Sequence, residues 1–190
     1  DVSKWQKDID WKQVKESGVE FAMIRLGTQI GPHEDSKLDD YFLKNIQGAK
    51  EVGIKVGVYY YSYASSKKEA RKQAKWVVKN LKGFDLDLPV VFDWECYSMF
   101  NSFSISLHDL NRIAESFLSV IQHSGYQPML YASKNYLEKI WTSFDSKVWL
   151  AHYTAHTDYQ GDYLMWQLTN HGIISGIQGE VDINLGYFKK

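Results

Sequence analysis

Two acids one residue apart, Asp93 and Glu95, follow an apolar run in the segment LPVVFDWECY at 88–97. Side chains alternate along a strand, so Val91, Asp93 and Glu95 would share one face and Val90, Phe92 and Trp94 the other. Two residue steps put the acids' Cβ atoms about 6–7 Å apart. In a poorly hydrated cleft each carboxyl raises the other's pKa, because lost water and a neighbouring negative charge both disfavour ionisation. One acid then keeps a proton near neutral pH beside a carboxylate. That pairing can break a glycosidic bond: the acid protonates the leaving oxygen, and the carboxylate stabilises positive charge at the sugar carbon. An acid pair tied to Lys, Arg or backbone N–H groups is the structural alternative, and metal ligation is a third. Neither AHYTAH nor TNHG has a recognised zinc spacing. Cys96 is the only cysteine, so no internal disulfide or multi-cysteine metal site can form. The expectation is a site with no metal and no cofactor.

Such acids must be held by a strand end, and the pattern around them supplies one. Short apolar runs alternate with amphipathic stretches over about the first 130 residues, as in strands and helices around a parallel sheet. Residues 1–3 read as a first strand, and Asp10 can cap a helix running to Ser17. FAMIRLG from Phe21 reads as the second strand; DDYFLKNIQGAKEVG then has helical spacing and stops at Gly53. VGVYYYSY is the third strand. Ser66 and Glu69 form a capping-box pattern for a helix to about Leu81, and the acid-bearing segment is the fourth strand. Ser106 and Asp109 open a helix to about His123, followed by PMLYAS as the fifth strand. VWLAHY, YLMWQL and VDINL are three further short strands with no helix-length segment between them.

Five βα units and three bare strands predict an irregular (β/α)5(β)3 barrel, an α/β fold in one domain spanning 1–190. A doubly wound open sheet is the alternative, but no G-x-G-x-x-G follows the first strand. A barrel places its active site at the C-terminal strand ends, which is where Asp93 and Glu95 fall.

The segments DVSKWQKDIDW, FAMIRLG, GVYYYSYA, PVVFDWE, VWLAHYT and MWQLTNHGIISGIQGEVDINL, in this order, resemble glycoside hydrolase family 25 across nearly the whole chain. The resemblance implies a lysozyme of the N-acetylmuramidase type acting on bacterial peptidoglycan at the β-1,4 bond between N-acetylmuramic acid and N-acetylglucosamine. It also implies a cluster of four catalytic acids, Asp1, Asp93, Glu95 and Asp182, with Glu95 as general acid. Lys7 departs from the pattern, standing where a Gly is common, which bears on the local turn.

Aromatic faces stack on sugar rings and phenol hydroxyls can bond their polar groups. Tyr59 and Tyr61 share one face of the third strand, and Tyr131 and Trp166 lie on the fifth and seventh, so these four are the expected substrate-binding residues. Trp149 is a comparable candidate. Arg25 fits a structural ion pair better than a catalytic role.

The formal net charge is −1, which argues against a protein built to neutralise nucleic-acid phosphates. Basic residues are unevenly spread: Lys67, Lys68, Arg71, Lys72, Lys75, Lys79 and Lys82 crowd one predicted helix with Glu69 the one acid among them. A solvated face or attraction to an anionic surface both fit. No run reaches the roughly 18 apolar residues of a membrane span, so membrane insertion is not expected. The expected setting is extracellular or at the cell wall, as a monomer, with any wall-binding domain outside this chain. The abrupt start at Asp1 and the lysines at 189 and 190 are compatible with segments removed at either end.

Overall fold

The computed structural model describes residues 1–29, 31, 33–141 and 146–188, apart from the side chains of 99–101. The lysines at 189 and 190 lie outside the described residues. The elements run α1 (Trp11–Glu16), β1 (Phe21–Gln29), β2 (Ser36–Leu38), α2 (Phe42–Glu51), β3 (Lys55–Tyr61), α3 (Lys67–Asn80), β4 (Val90–Asp93), α4 (Leu107–His123), β5 (Pro128–Ser133), α5 (Lys134–Lys139), β6 (Lys147–Ala151), β7 (Met165–Gly172) and β8 (Val181–Gly186). Short 3-10 turns at Lys4–Gln6 and Cys96–Phe103 flank the two ends of the acid cluster.

One sheet holds all eight strands, in the order β2-β1-β3-β4-β5-β6-β7-β8. Pairings from β1 through β7 are parallel, while β2 on β1 and β8 on β7 are antiparallel. Among the described residues no ladder joins β8 to β1. The first residues stitch that seam instead: Val2 makes a single parallel bridge to Ile24, and the Asp1 nitrogen donates to Asp182 O at 3.1 Å. The barrel architecture therefore stands, with two corrections to its strands. Residues 1–3 form a bridge and no full strand, while β2 comes from the polar loop after β1. Gly27 permits that hairpin, because a Cβ there would lie 2.4 Å from Lys37 O.

Strand alternation builds two cores. Val90, Phe92 and Trp94 point outward into the large core beneath the helices, with Tyr60, Phe117, Leu150 and Trp166. Val91 points inward with Met23, Met129, Tyr131, Trp149 and Met165, filling the barrel below the acids. Helices α2, α3 and α4 cover the sheet with apolar stripes; α4 alone buries Leu110, Ile113, Ala114, Phe117 and Ile121. That stripe follows the i, i+3, i+4, i+7 spacing of an amphipathic helix.

Capping follows the local sequence. Asp10 accepts from Gln13 N at 3.1 Å, and Ser106 with Asp109 closes a full capping box. At α3, Ser66 accepts from Glu69 N at 3.2 Å, but the Glu69 carboxylate bonds Ser65 and His33 in place of the cap nitrogen. The outer face of α3 carries the exposed Lys67, Lys68, Arg71, Lys72, Lys75 and Lys79. Of these, Lys72 alone makes an ion pair among the described residues, to exposed Asp35 at 2.6 Å. Lys7, where the resemblance expects Gly, adopts φ 52° and ψ −129°. A side chain with Cβ is strained in that region, at about 1–3 kcal/mol.

Candidate active site

Seven strands and the amino-terminal turn converge on one cleft of about 280 Å³ at the C-terminal end of the parallel strands. Asp1, Asp93, Glu95 and Asp182 all line it, so the fold joins residues from both ends of the chain and its middle. Asp93 is the last residue of β4 and is 5% exposed. Its inward aim follows from alternation, since Phe92 and Trp94 on either side are fully buried in the outer core. Trp94 is fixed there by Nε1 donating to Ala64 O at 3.0 Å. Glu95 lies just past the strand end and is exposed to the cleft. The acids thus differ in depth, which a continuous strand would not give them.

That difference sets their proton affinities. Burial raises Asp93 well above the usual carboxylate range, the negative charge of Glu95 and a hydrogen bond to it add, and Arg25 opposes in part. Its Oδ1 is buried without a protein hydrogen-bond partner among the described residues. Glu95 is also raised, first by loss of hydration; the hydrogen bond from Asp93 works against this, and the Asp182 charge adds to it. Asp182 on β8 is raised as well, chiefly by burial. Three acids that all resist ionisation around one cleft make a site that retains a proton where ordinary carboxyls have lost theirs. Asp1 differs: its Oδ2 accepts from Gln167 Nε2 and from Asn184 Nδ2, each at 2.9 Å.

Of the expected aromatic residues, Tyr59, Tyr61 and Tyr131 line the cleft. Burial pushes all three phenols above their ordinary range, so they stay protonated. Trp166 is a correction. It alternates outward on β7, is 7% exposed in the outer core, and donates Nε1 to His152 O at 2.8 Å. The inward positions on that strand belong to Met165 and Gln167. Trp149 takes the cleft position and donates to Asn184 Oδ1 at 2.8 Å.

Arg25 lines the cleft yet is held by Asp39, with Nε at 2.8 Å and a terminal nitrogen at 2.7 Å from the same oxygen. Buried Asp39 also accepts from Lys4 N at 3.1 Å, fastening the amino-terminal turn to β1. Cys96 is buried, its thiol pushed up to about 12 mainly by desolvation, which leaves little thiolate for reaction near neutral pH. Among the described residues, no three His, Cys, Asp or Glu side chains converge as a metal-binding group.

Several cleft residues escaped the sequence reading: Trp5, 72% exposed on the rim, Tyr153, Gln167 and Asn170. Parity would have found two of them, because Tyr153 lies two and four residues beyond inward Ala151 and Trp149, and Gln167 lies two beyond inward Met165. Trp5 sits on a turn, where alternation gives no signal.

A barrel-type α/β sheet with proton-retaining acids at its C-terminal strand ends is an arrangement suited to acid-catalysed glycosidic cleavage, the chemistry of glycoside hydrolases. Residues 1–177 match the family described as Glycosyl hydrolases family 25, and the chain belongs to that family. The uncharacterized protein YegX of Escherichia coli K12 is 28% identical over 195 residues, covering 97% of this chain and 67% of that protein. The autolytic lysozyme of Clostridium acetobutylicum is 25% identical over 187 residues, covering 97% of this chain and 54% of its own length. The solved modular autolysin LytC from Streptococcus pneumoniae, in complex with a synthetic peptidoglycan ligand, superposes with a TM-score of 0.82 at 25% identity. That match covers 98% of this chain and 45% of LytC. The chain thus spans about half the length of these two lytic relatives. Among the described residues no helix is long and apolar enough to cross a membrane.

Proposed function

We propose that residues 1–190 form one catalytic unit that hydrolyses bacterial peptidoglycan at the β-1,4 bond between N-acetylmuramic acid and N-acetylglucosamine, with Glu95 as general acid. The observation that carries this reading is the unequal pair at the end of β4. Buried Asp93 holds a proton strongly, and exposed Glu95 is its outlet to the cleft. A sugar entering the cleft displaces water from Glu95 and raises its proton affinity toward that of Asp93. Glu95 then gives its proton to the glycosidic oxygen as the bond to the anomeric carbon breaks, leaving a new hydroxyl on the departing sugar.

Positive charge developing at the anomeric carbon faces the carboxylates left behind. The substrate's own 2-acetamido oxygen can bond to that carbon, with Asp93 and Asp182 steadying the acetamido group and Asp1 supporting it electrostatically. Water then adds to the carbon as the acetamido oxygen leaves it, restoring the acetamido group, and the water's proton returns to Glu95. The alternative, direct attack by a water activated by Asp182 from the opposite face, uses the same acids and inverts the anomeric carbon. The stereochemistry of the first product separates the two routes.

Tyr59 and Tyr61 supply aromatic surface against which sugar rings pack, with buried Tyr131 and Trp149 behind them in the cleft wall. The lytic names of the relatives support a role at the cell wall, and the modular build of LytC supports a wall-binding domain outside this chain. The experiment is digestion of purified peptidoglycan. The wild-type protein should release new reducing ends that carry N-acetylmuramic acid, while reducing N-acetylglucosamine would refute the bond assignment.

A further inference from the structure

One hydrogen-bonded chain crosses the cleft wall, and the chemistry of its members fixes its direction. Trp149 Nε1 can only donate, and it meets the Asn184 side-chain oxygen at 2.8 Å. The Asn184 amide nitrogen therefore faces Asp1 and donates to Oδ2 at 2.9 Å. Gln167 Nε2 donates to the same oxygen, also at 2.9 Å. With its nitrogen turned to the carboxylate, Gln167 must present its oxygen to the other side. There it accepts from the phenol pair Tyr131 and Tyr153, whose hydroxyls both lie 2.9 Å away and also bond each other. Gln167 is 4% exposed, so this is a built-in part of the wall.

A phenol has one proton to give. We propose that Gln167 is a positioning residue whose oxygen draws the protons of this phenol pair inward, to itself or from one phenol to the other, and so sets the polarity of this wall. Tyr131 and Tyr153 are left to face substrate as hydrogen-bond acceptors, while the other end of the amide holds Asp1. Tyr153 is half exposed and is the member that reaches the cleft most freely. The wall therefore selects a substrate group that donates, such as the N–H of a 2-acetamido substituent or a sugar hydroxyl, and rejects a bare carbonyl or ether oxygen. The inference rests on the glycosidase reading and names a specificity determinant for it.

Gln167→Glu tests the polarity directly. Once protonated, the new carboxylic acid can donate to Asp1 and accept from the phenol pair, as the amide does. When ionised it repels Asp1 and donates nothing. The ratio of variant to wild-type kcat/KM on purified peptidoglycan should therefore rise about tenfold or more from pH 7 to pH 4.5. Gln167→Met, of similar volume but without either hydrogen-bonding end, should stay low across that range. A flat ratio for Gln167→Glu, or wild-type kcat/KM in Gln167→Met, overturns the inference. Tyr153→Phe provides a check on a half-exposed side chain whose loss spares the fold: KM should rise about three- to tenfold with kcat nearly unchanged, and an unchanged KM also overturns it. Wild-type digestion under the same conditions keeps the two readings apart. No reducing ends from the wild type removes the hydrolase reading itself, whereas an active wild type with a flat variant ratio removes only the role of Gln167.

Discussion

Two cavities share the residues that close the barrel seam, and they are opposites. The larger, about 420 Å³, opens between β1 and β8 where no ladder joins them, and its walls are apolar: Val14, Phe21, Met23, Ile177, Ile183 and Phe188 among them. The smaller, about 280 Å³, sits at the strand ends and gathers four acids, six aromatic residues of the wall and rim, and Arg25. Asp1 and Asp182 border both. The seam is where strand pairing stops and apolar packing bridges the gap. The cleft is where burial works against ionisation. Size does not mark the site; convergent acids with raised proton affinity do.

Asp93→Asn should separate the two most strongly. Loss of a titrating partner for Glu95 should lower turnover at least about a hundredfold. The same change should stabilise the fold at neutral pH. The folded pKa of Asp93 is raised, so the folded state binds this proton more tightly than the unfolded chain. Stability from this group is therefore full below the ordinary Asp value of about 3.9 and is lost as pH rises above it. Asparagine is free of that loss, so thermal melts should show the variant above wild type at pH 7 and level with it below about pH 4.

In the seam the pattern should invert. Val14→Ala removes two buried methyl groups and should cost about 2 kcal/mol, lowering Tm by roughly 5 °C. Turnover of the folded variant should match wild type; a matching fall in kcat would mean the seam takes part in the chemistry. Lys7, in the turn beside the cleft rim, gives a smaller effect of opposite sign. Lys7→Gly relieves a positive φ at the expense of unfolded-state freedom and should add about 1 kcal/mol, read as a Tm rise of about 3 °C. The outer face of α3 belongs to neither cavity. Replacing Lys68, Lys72 and Lys79 by Gln should weaken wall binding at low salt and leave it unaltered at high salt; equal binding across the salt series would mean the face is simply solvated.

Local spacing carried much of this. Alternation in VVFDW placed Asp93 inward and Trp94 outward, and the βα order gave the helix-covered parallel strands followed by three bare ones. Short, polar elements were silent. β2 is the three-residue SKL inside a charged loop, and α5 is six residues that bury only Leu137. The first strand shrank because Val2 alone pairs with β1. Trp166 misled by residue type, since an aromatic on a strand invited a binding role while its parity sent it outward. Parity places Gln167 inward, but nothing local gives its role or that of Asn184. Their meaning comes from Asp1, 166 and 183 positions away, and pairing at that range appears only when the barrel closes.

The most direct measurement is the rate of reducing-end release from purified peptidoglycan by wild type and by Glu95→Gln, with the melting curve of each recorded. The account predicts release from the wild type, with N-acetylmuramic acid at the new ends, and a fall of about a hundredfold to ten-thousandfold in the variant at an undiminished Tm. Near-wild-type release by folded Glu95→Gln would contradict it.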